Sequence, residues 1–270
     1  MKTLLALTIL LFANVSAHAA SSDWVKVDGA KMRLIGMPSL DNGPYRAGLQ
    51  IELEPGWKTY WRNPGASGLP PQLDFSASKN VNETQLKFPA PHFFAEDSSI
   101  GYKNSVTFPI SVTPTMRGFP MALDVNGIVG ICSDICIPTQ VQLSLQVGKS
   151  AISQMDVAMA LNKSQALLPT QPEQGFAIED VMLQGEEKPA LVVMARVPIQ
   201  AEDVRLFVEG PQSWYLDRAE LISRKGTLVR FSVDVSEAKS REDILAADLV
   251  FTLATQRKAI EQTMKAKAAQ

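Results

Sequence analysis

Cysteine and histidine are scarce in this 270-residue chain, with two of each. Two cysteines cannot build the multi-bridge framework of a small disulfide-rich scaffold. Basic residues show no excess: 26 Lys and Arg stand against 28 Asp and Glu, a formal charge of −2. No positive surface is therefore on offer to neutralise phosphates, and nucleic-acid binding is not expected. There is no Gly-rich phosphate loop, no H-E-x-x-H and no G-x-S-x-G, the usual marks of nucleotide binding, zinc proteolysis and serine hydrolysis. No cofactor is expected. Beyond the N-terminus, no stretch approaches the ~18 continuous apolar residues of a membrane span, so the mature chain is expected to be soluble.

What remains is a globular composition, 46% hydrophobic and 7% aromatic. At this length folding buries about 70–75% of the surface the unfolded chain exposes, so the core needs no covalent staple. The chain opens with Lys2, an apolar run from Leu4 to Ala13 broken only by Thr8, and the small-x-small triplet Ala17-His18-Ala19. That order reads as a signal peptide over residues 1–19, cleaved after Ala19. An exported chain meets an oxidising compartment, where two cysteines tend to pair.

Punctuation divides the mature chain. Residues 20–148 hold 12 of the 17 prolines and 12 of the 16 glycines. Short β-type runs cover Lys31–Ile35, Tyr45–Leu53, Thr84–Phe88, Val106–Val112, Met121–Val129 and Val141–Val147. Several alternate with period 2, Val141 to Val147 most clearly, as half-buried strands do. Asp41-Asn42-Gly43, Glu54-Pro55-Gly56 and Asn63-Pro64-Gly65 supply turns. Over 149–174 the pattern changes. Ile152, Met155, Met159 and Ala160 fall at helical spacing with Ala-rich filler, and a Pro/Gln linker over 169–174 follows. A second β series covers Phe176–Leu183, Ala190–Val197, Val204–Val208, Arg218–Ser223, Leu228–Val235 and Asp248–Ala254, with a helical turn within Glu237–Leu245. Residues 257–270 read as a polar tail. The expectation is an all-β chain: one β-sandwich over 20–148, a helical connector over 149–174 and a second sandwich over 175–256.

Both cysteines sit in Gly130-Ile131-Cys132-Ser133-Asp134-Ile135-Cys136-Ile137-Pro138. On a straight strand, four steps of ~3.3 Å would hold their Cα atoms about 13 Å apart, against the roughly 5.5–6 Å of a disulfide. If they bond, the backbone must turn between them, and Ser133-Asp134 is turn material. Pro138 favours a strand edge or bend. A disulfide closing so short a loop contributes only ~2 kcal/mol by chain entropy, against ~4.7 for a loop near 100 residues. A staple would span more chain, whereas an exchangeable couple has no such need. Two thiolates also suit Cu(I), so a copper-binding or copper-tolerance module on Cys132 and Cys136 is the alternative. Against it, His92 is the one histidine left after export, and no Met-rich cluster flanks the pair. In thiol–disulfide exchange one cysteine attacks a partner's disulfide and the other resolves the mixed disulfide; the sequence leaves open which does which. Asp134 would disfavour a thiolate and reads as an exposed turn residue, with a proton relay as the alternative.

Gly56-Trp57-Lys58-Thr59-Tyr60-Trp61-Arg62-Asn63-Pro64-Gly65, with Ser67-Gly68-Leu69-Pro70-Pro71 after it, resembles the signature of the periplasmic N-terminal domain of DsbD/ScsB-type disulfide reductases. Phe88-Pro89-Ala90-Pro91, Gly101-Tyr102 and Cys132…Cys136-Ile137-Pro138 follow in that family's order. The resemblance covers residues 23–148 and extends loosely over the second domain. It implies immunoglobulin-like folds, a periplasmic location and a cysteine pair that takes electrons from a membrane reductase and passes them to thioredoxin-fold proteins. It also implies a cap loop with an aromatic residue over the sulfurs. The matching stretch is His92 to Ser99, which makes Phe93 or Phe94 the cap candidate, with core packing as the equal alternative. Trp57, Tyr60 and Trp61 are expected in the sandwich core, with the partner surface as alternative, and Tyr102, Asp134 and Pro138 join the cap or partner-surface candidates. The family's membrane channel and thioredoxin-like domain have no counterpart in these residues, so the electron donor is expected to be a separate membrane protein.

Overall fold

The alternation of Val141–Val147 becomes a strand in which Val141, Leu143, Leu145 and Val147 are buried, while Gln140, Gln142, Ser144 and Gln146 are exposed. A period of 2 commits one face to a core and the other to water. The computed structural model describes residues 21–37, 43–65, 68–147, 155–211, 214, 216, 218–236 and 240–269; the expected signal peptide lies outside them.

The first part of the chain forms β1 (Val25–Val27), β2 (Ala30–Met37), β3 (Tyr45–Leu53), β4 (Lys58–Gly65), β5 (Gln72–Asp74), β6 (Val81–Leu86), β7 (His92–Phe94), β8 (Ser99–Lys103), β9 (Ser105–Pro114), β10 (Met121–Cys132) and β11 (Cys136–Val147). These make two sheets, ordered β1-β2-β3-β9-β6 and β11-β10-β4-β8-β7, with β5 also pairing β10. Between them lie Met32, Ile51, Trp61, Phe108, Ile131 and Leu143. Helix α1 (Met155–Ala166) follows, then β12 (Ala177–Gln184), β13 (Ala190–Arg196), β14 (Arg205–Glu209), β15 (Glu220–Lys225), β16 (Leu228–Asp234), α2 (Arg241–Ala246), β17 (Leu249–Ala254), β18 (Ala259–Met264) and β19 (Lys267–Ala268). Sheets β15-β16-β13-β12-β19 and β14-β17-β18 close on Phe176, Val193, Phe231 and Phe251. The fold is all-β, two immunoglobulin-like sandwiches in series, as expected. Among the described residues no helix is long and apolar enough to cross a membrane.

Two local expectations need correction, and α1, a helix as its spacing predicts, shows which of its faces is buried. In α1 the buried residues are Val157, Leu161 and Ser164, whereas Met155 and Met159 are 77% and 60% exposed. Val157 and Leu161 pack on Ile35 of β2, which turns the methionine stripe towards solvent; Ile152 lies outside the described residues. Asn63-Pro64-Gly65 is the end of β4 rather than a free turn, with the register to β8 shifting between Tyr60 and Gly65. Residues 257–270 contain β18 and β19 instead of a polar tail. Their polar side chains have protein partners: Gln262 exchanges hydrogen bonds with the Ile178 backbone at 3.0 and 3.2 Å, and Ala259 and Ile260 are buried. The helical turn expected near 237–245 is α2. Its capping box has Ser240 Oγ accepting from Asp243 N and the Asp243 carboxylate accepting from Ser240 N, which satisfies two otherwise orphaned donors.

The two sandwiches meet along β4 and β14. Phe207 of β14 is part of the first core, its ring 5.6 Å from that of Trp61. Arg62 donates to both Glu209 carboxylate oxygens, at 3.0 and 2.6 Å, and also to Glu261. Arg205 donates to Pro91 O at 2.7 Å and to His92 Nδ1 at 2.8 Å.

Candidate functional site

β10 and β11 pair without interruption from Met121↔Val147 to Cys132↔Cys136. Ser133, Asp134 and Ile135 then make the turn that the cysteine spacing demands. The two cysteines are directly opposed at the last rung, with Cα atoms 4.3 Å apart and the sulfurs bonded. β11 is the edge of its sheet, which accommodates Pro138 opposite Gly130 without losing an interior ladder bond. The sulfur pair is asymmetric. Cys132 is 1% exposed, while Cys136 is exposed, as are Ser133, Asp134, Ile135, Ile137 and Pro138 around it. Ile135 is 76% exposed, a large apolar side chain standing at the tip beside Cys136.

β4 supplies what lies beneath. Lys58 pairs with Cys132, and the Thr59 hydroxyl donates to Gly130 O at 2.9 Å. Tyr60 is buried, and its hydroxyl stands 2.7 Å from Cys136 Sγ. In the disulfide the sulfur carries no proton, so the tyrosine is the donor. Two glycines hold this ring. A methyl group at Gly130 would come within 2.8 Å of Tyr60 Cδ2, and one at Gly68 within 2.6 Å of Cδ1. Real Cβ atoms do not approach that closely, and the same added atoms would meet Leu69 O and Pro64 Cβ closer still, so a larger residue at either position would disturb the packing around the ring. Burial, with the Asp97 charge adding to it, pushes the Tyr60 phenol up to about 12. It therefore stays protonated, and a donor, throughout the range in which thiols ionise.

Beside this row the buried Lys58 ammonium meets Asp97 Oδ2 at 2.5 Å, and Asp97 Oδ1 accepts from the Ser99 hydroxyl at 2.7 Å. Burial works to raise the Asp97 carboxyl, but the hydrogen bonds from Lys58 and Ser99 outweigh it and hold it below the usual carboxylate value. Phe94 is buried with Lys58 Nζ 5.4 Å and Lys103 Nζ 4.4 Å from its ring centre, within cation–π range.

The residues singled out in the sequence thus divide. Cys132, Cys136 and Tyr60 come together. Trp61, next to Tyr60, is buried and packs on Phe207. Trp57 is half-buried and lies so close over Gly29 that a Cβ there would sit 2.0 Å from the indole. Tyr102 is buried, its hydroxyl donating to Pro89 O at 2.7 Å and its ring edge-on to Phe108; it is placed as a core residue. Phe93 lies against the Arg218 guanidinium at 4.6 Å. Phe93 and Phe94 belong to β7, which follows β8 and β4 in the sheet order from β10; Phe93 also packs against the first core, and Tyr60 is the aromatic residue hydrogen-bonded to Cys136. Asp134 is exposed at the turn. Lys58 and Asp97 were given no role from sequence. A lysine between aromatic residues on a strand was the available signal, but its acid lies 39 positions away and only the fold joins them.

The sequence pattern of the family described as thiol:disulfide interchange protein DsbD, N-terminal, matches residues 32–148. No curated protein matches the chain. Among solved structures, the N-terminal periplasmic domain of ScsB from Proteus mirabilis is similar, with a TM-score of 0.74 and 22% identity, over 93% of this chain and 100% of that one.

Proposed function

We propose, from the match of residues 32–148 to the DsbD N-terminal pattern, that the chain is a periplasmic thiol–disulfide exchange protein, with Cys136 as its exchanging sulfur and Cys132 as its resolving one. The observation that carries this assignment is the contrast between an exposed Cys136, hydrogen-bonded by Tyr60, and a Cys132 that is 1% exposed. An incoming thiolate can reach only the outer sulfur. It attacks Cys136 Sγ, the Cys132–Cys136 bond breaks, and the electron pair leaves on Cys132, which takes up a proton. A second donor thiolate then attacks the donor sulfur of the mixed disulfide. Cys136 departs as a thiolate, so the chain is reduced by two electrons and the donor becomes a disulfide.

In the forward direction the Cys136 thiolate attacks an acceptor disulfide, and Cys132, deprotonated, resolves the intermediate. Tyr60 acts on both occasions. Its hydroxyl donates to the sulfur when it is a thiolate, and hydrogen bonds to charged groups contribute about 1.5–3 kcal/mol. The donor fits a membrane reductase and the acceptors thioredoxin-fold proteins in their oxidised form, whose exposed disulfides are open to thiolate attack. The exposed Ile135 and Ile137 beside Cys136 give such partners an apolar landing.

The test is trapping. Cys132→Ala should accumulate a mixed disulfide through Cys136 with a periplasmic thioredoxin-fold protein, resolvable by non-reducing electrophoresis. Cys136→Ala should trap none. Trapping by Cys136→Ala alone would reverse the two roles, and trapping by neither would remove the exchange reading.

A further inference from the structure

The cavity between the two sandwiches, closed on a third side by α1, has a volume of about 620 Å³. That lies within the 300–1,000 Å³ of small-molecule sites, and domain interfaces are where such sites concentrate. Its lining includes the apolar side chains Leu53, Val106, Ala160 and Leu167. Its charge is one-sided. Among the described residues, the lining carries the cations Lys103, Lys163, Arg205, Arg257 and Lys258, against the carboxylates Glu52 and Asp203.

Both acids are already engaged: Glu52 with Lys31, at 2.7 Å, and Asp203 with Arg205, at 3.2 Å. Lys103 and Lys258 have acidic neighbours of their own, Glu96 at 3.6 Å and Glu173 at 2.8 Å. Among the described residues, no ion pair engages Lys163 or Arg257. Arg205 is held in the wall by Pro91 O and His92 Nδ1. That hydrogen bond leaves the imidazole neutral, so it neither adds to nor offsets the excess. Cations gathered on low-dielectric walls focus their field into the cleft.

We propose that this cleft binds a small organic anion bearing two or more carboxylates or phosphates on a short apolar body. The space exceeds that of a bare inorganic ion, the apolar side chains receive carbon, and the rim cations come from both sandwiches and from α1. Binding would tie the three together and stabilise the folded chain by mass action. The site is separate from the sulfur pair and does not depend on its chemistry.

Calorimetric titration of the full chain with citrate and, in parallel, with inorganic pyrophosphate tests it. Saturable one-to-one binding of at least one probe, accompanied by a rise in Tm, is the expected result; which probe binds more tightly separates carboxylate from phosphate as the preferred group. The double variant Lys163→Gln/Arg257→Gln should weaken that binding about tenfold. Lys225→Gln, on β15 and outside the cleft, should leave it unchanged. Absence of saturable binding by both probes at millimolar concentration overturns the site, as does an equal affinity in the double variant. Equal weakening by Lys225→Gln overturns it too, since the attraction would then be diffuse.

Discussion

The two sandwiches each end a sheet in a hairpin, and only one of those hairpins is equipped for chemistry. β11 brings its first residue, Cys136, opposite Cys132, over a buried tyrosine supplied by β4. β15, at the edge of the second sandwich, is exposed along its whole length, and no cysteine lies near it in sequence. A sheet edge alone therefore confers nothing. The difference lies in the strand underneath, where three consecutive residues of β4 divide their duties. Tyr60 serves the sulfur, Trp61 meets Phe207, and Arg62 holds Glu209 and Glu261. The second sandwich contributes to the site by fixing the strand that carries Tyr60.

Removing the aromatic bridge should have the largest effect. Phe207→Ala opens a cavity in the first core from the second sandwich and should cost about 3–5 kcal/mol, read as a shift of the urea midpoint. If the chain then unfolds in two transitions, with the first still at its original midpoint, the sandwiches are independent and the shared-strand account fails. Arg62→Met, which leaves Glu209 facing Glu261 without a cation, should cost about 1–3 kcal/mol and slow disulfide exchange with it. Tyr60→Phe separates chemistry from folding. Stability should change little, while the Cys136 thiol pKa, followed by the pH dependence of alkylation, should rise by about 1–2 units as the hydrogen bond to the thiolate is lost. An unchanged alkylation profile would show that Tyr60 only fills space.

The smallest effect is electrostatic. Burial, then the neighbouring Arg205 charge, holds His92 below its ordinary value of 6.5. The unfolded chain thus takes up a proton that the folded one refuses. The contribution is fully present above pH 6.5, and stability falls as the pH drops from there towards the folded value. His92→Gln should flatten that part of the stability profile; an unchanged slope would assign it to other groups.

Much of this was readable beforehand. Tyr45–Leu53 was bounded correctly as a strand because its alternation matches a half-buried sheet, and the cysteine spacing required a turn that the hairpin provides. β18 escaped notice because Glu261 and Gln262 look solvated; their partners, Arg62 and Ile178, lie 199 and 84 positions away. The sulfur pair was legible for the same reason that Lys58–Asp97 was not. The first is local in the chain, and the second exists only after β4 and the β7–β8 connection have met. Phe93 or Phe94 was the cap candidate from family likeness, with core packing as the equal alternative; Phe94 is buried beside Lys58, the residue paired with Cys132, a neighbourhood that only the assembled sheet creates.

The ladder behind the cysteines has a consequence for how electrons are held. Gaining or losing them is expected to alter the terminal rung, Cys132↔Cys136, and to leave in place the pairs running back to Met121↔Val147. The hairpin is thus a stiff handle with a reactive tip. Amide exchange in the two oxidation states should coincide everywhere except at that fingertip.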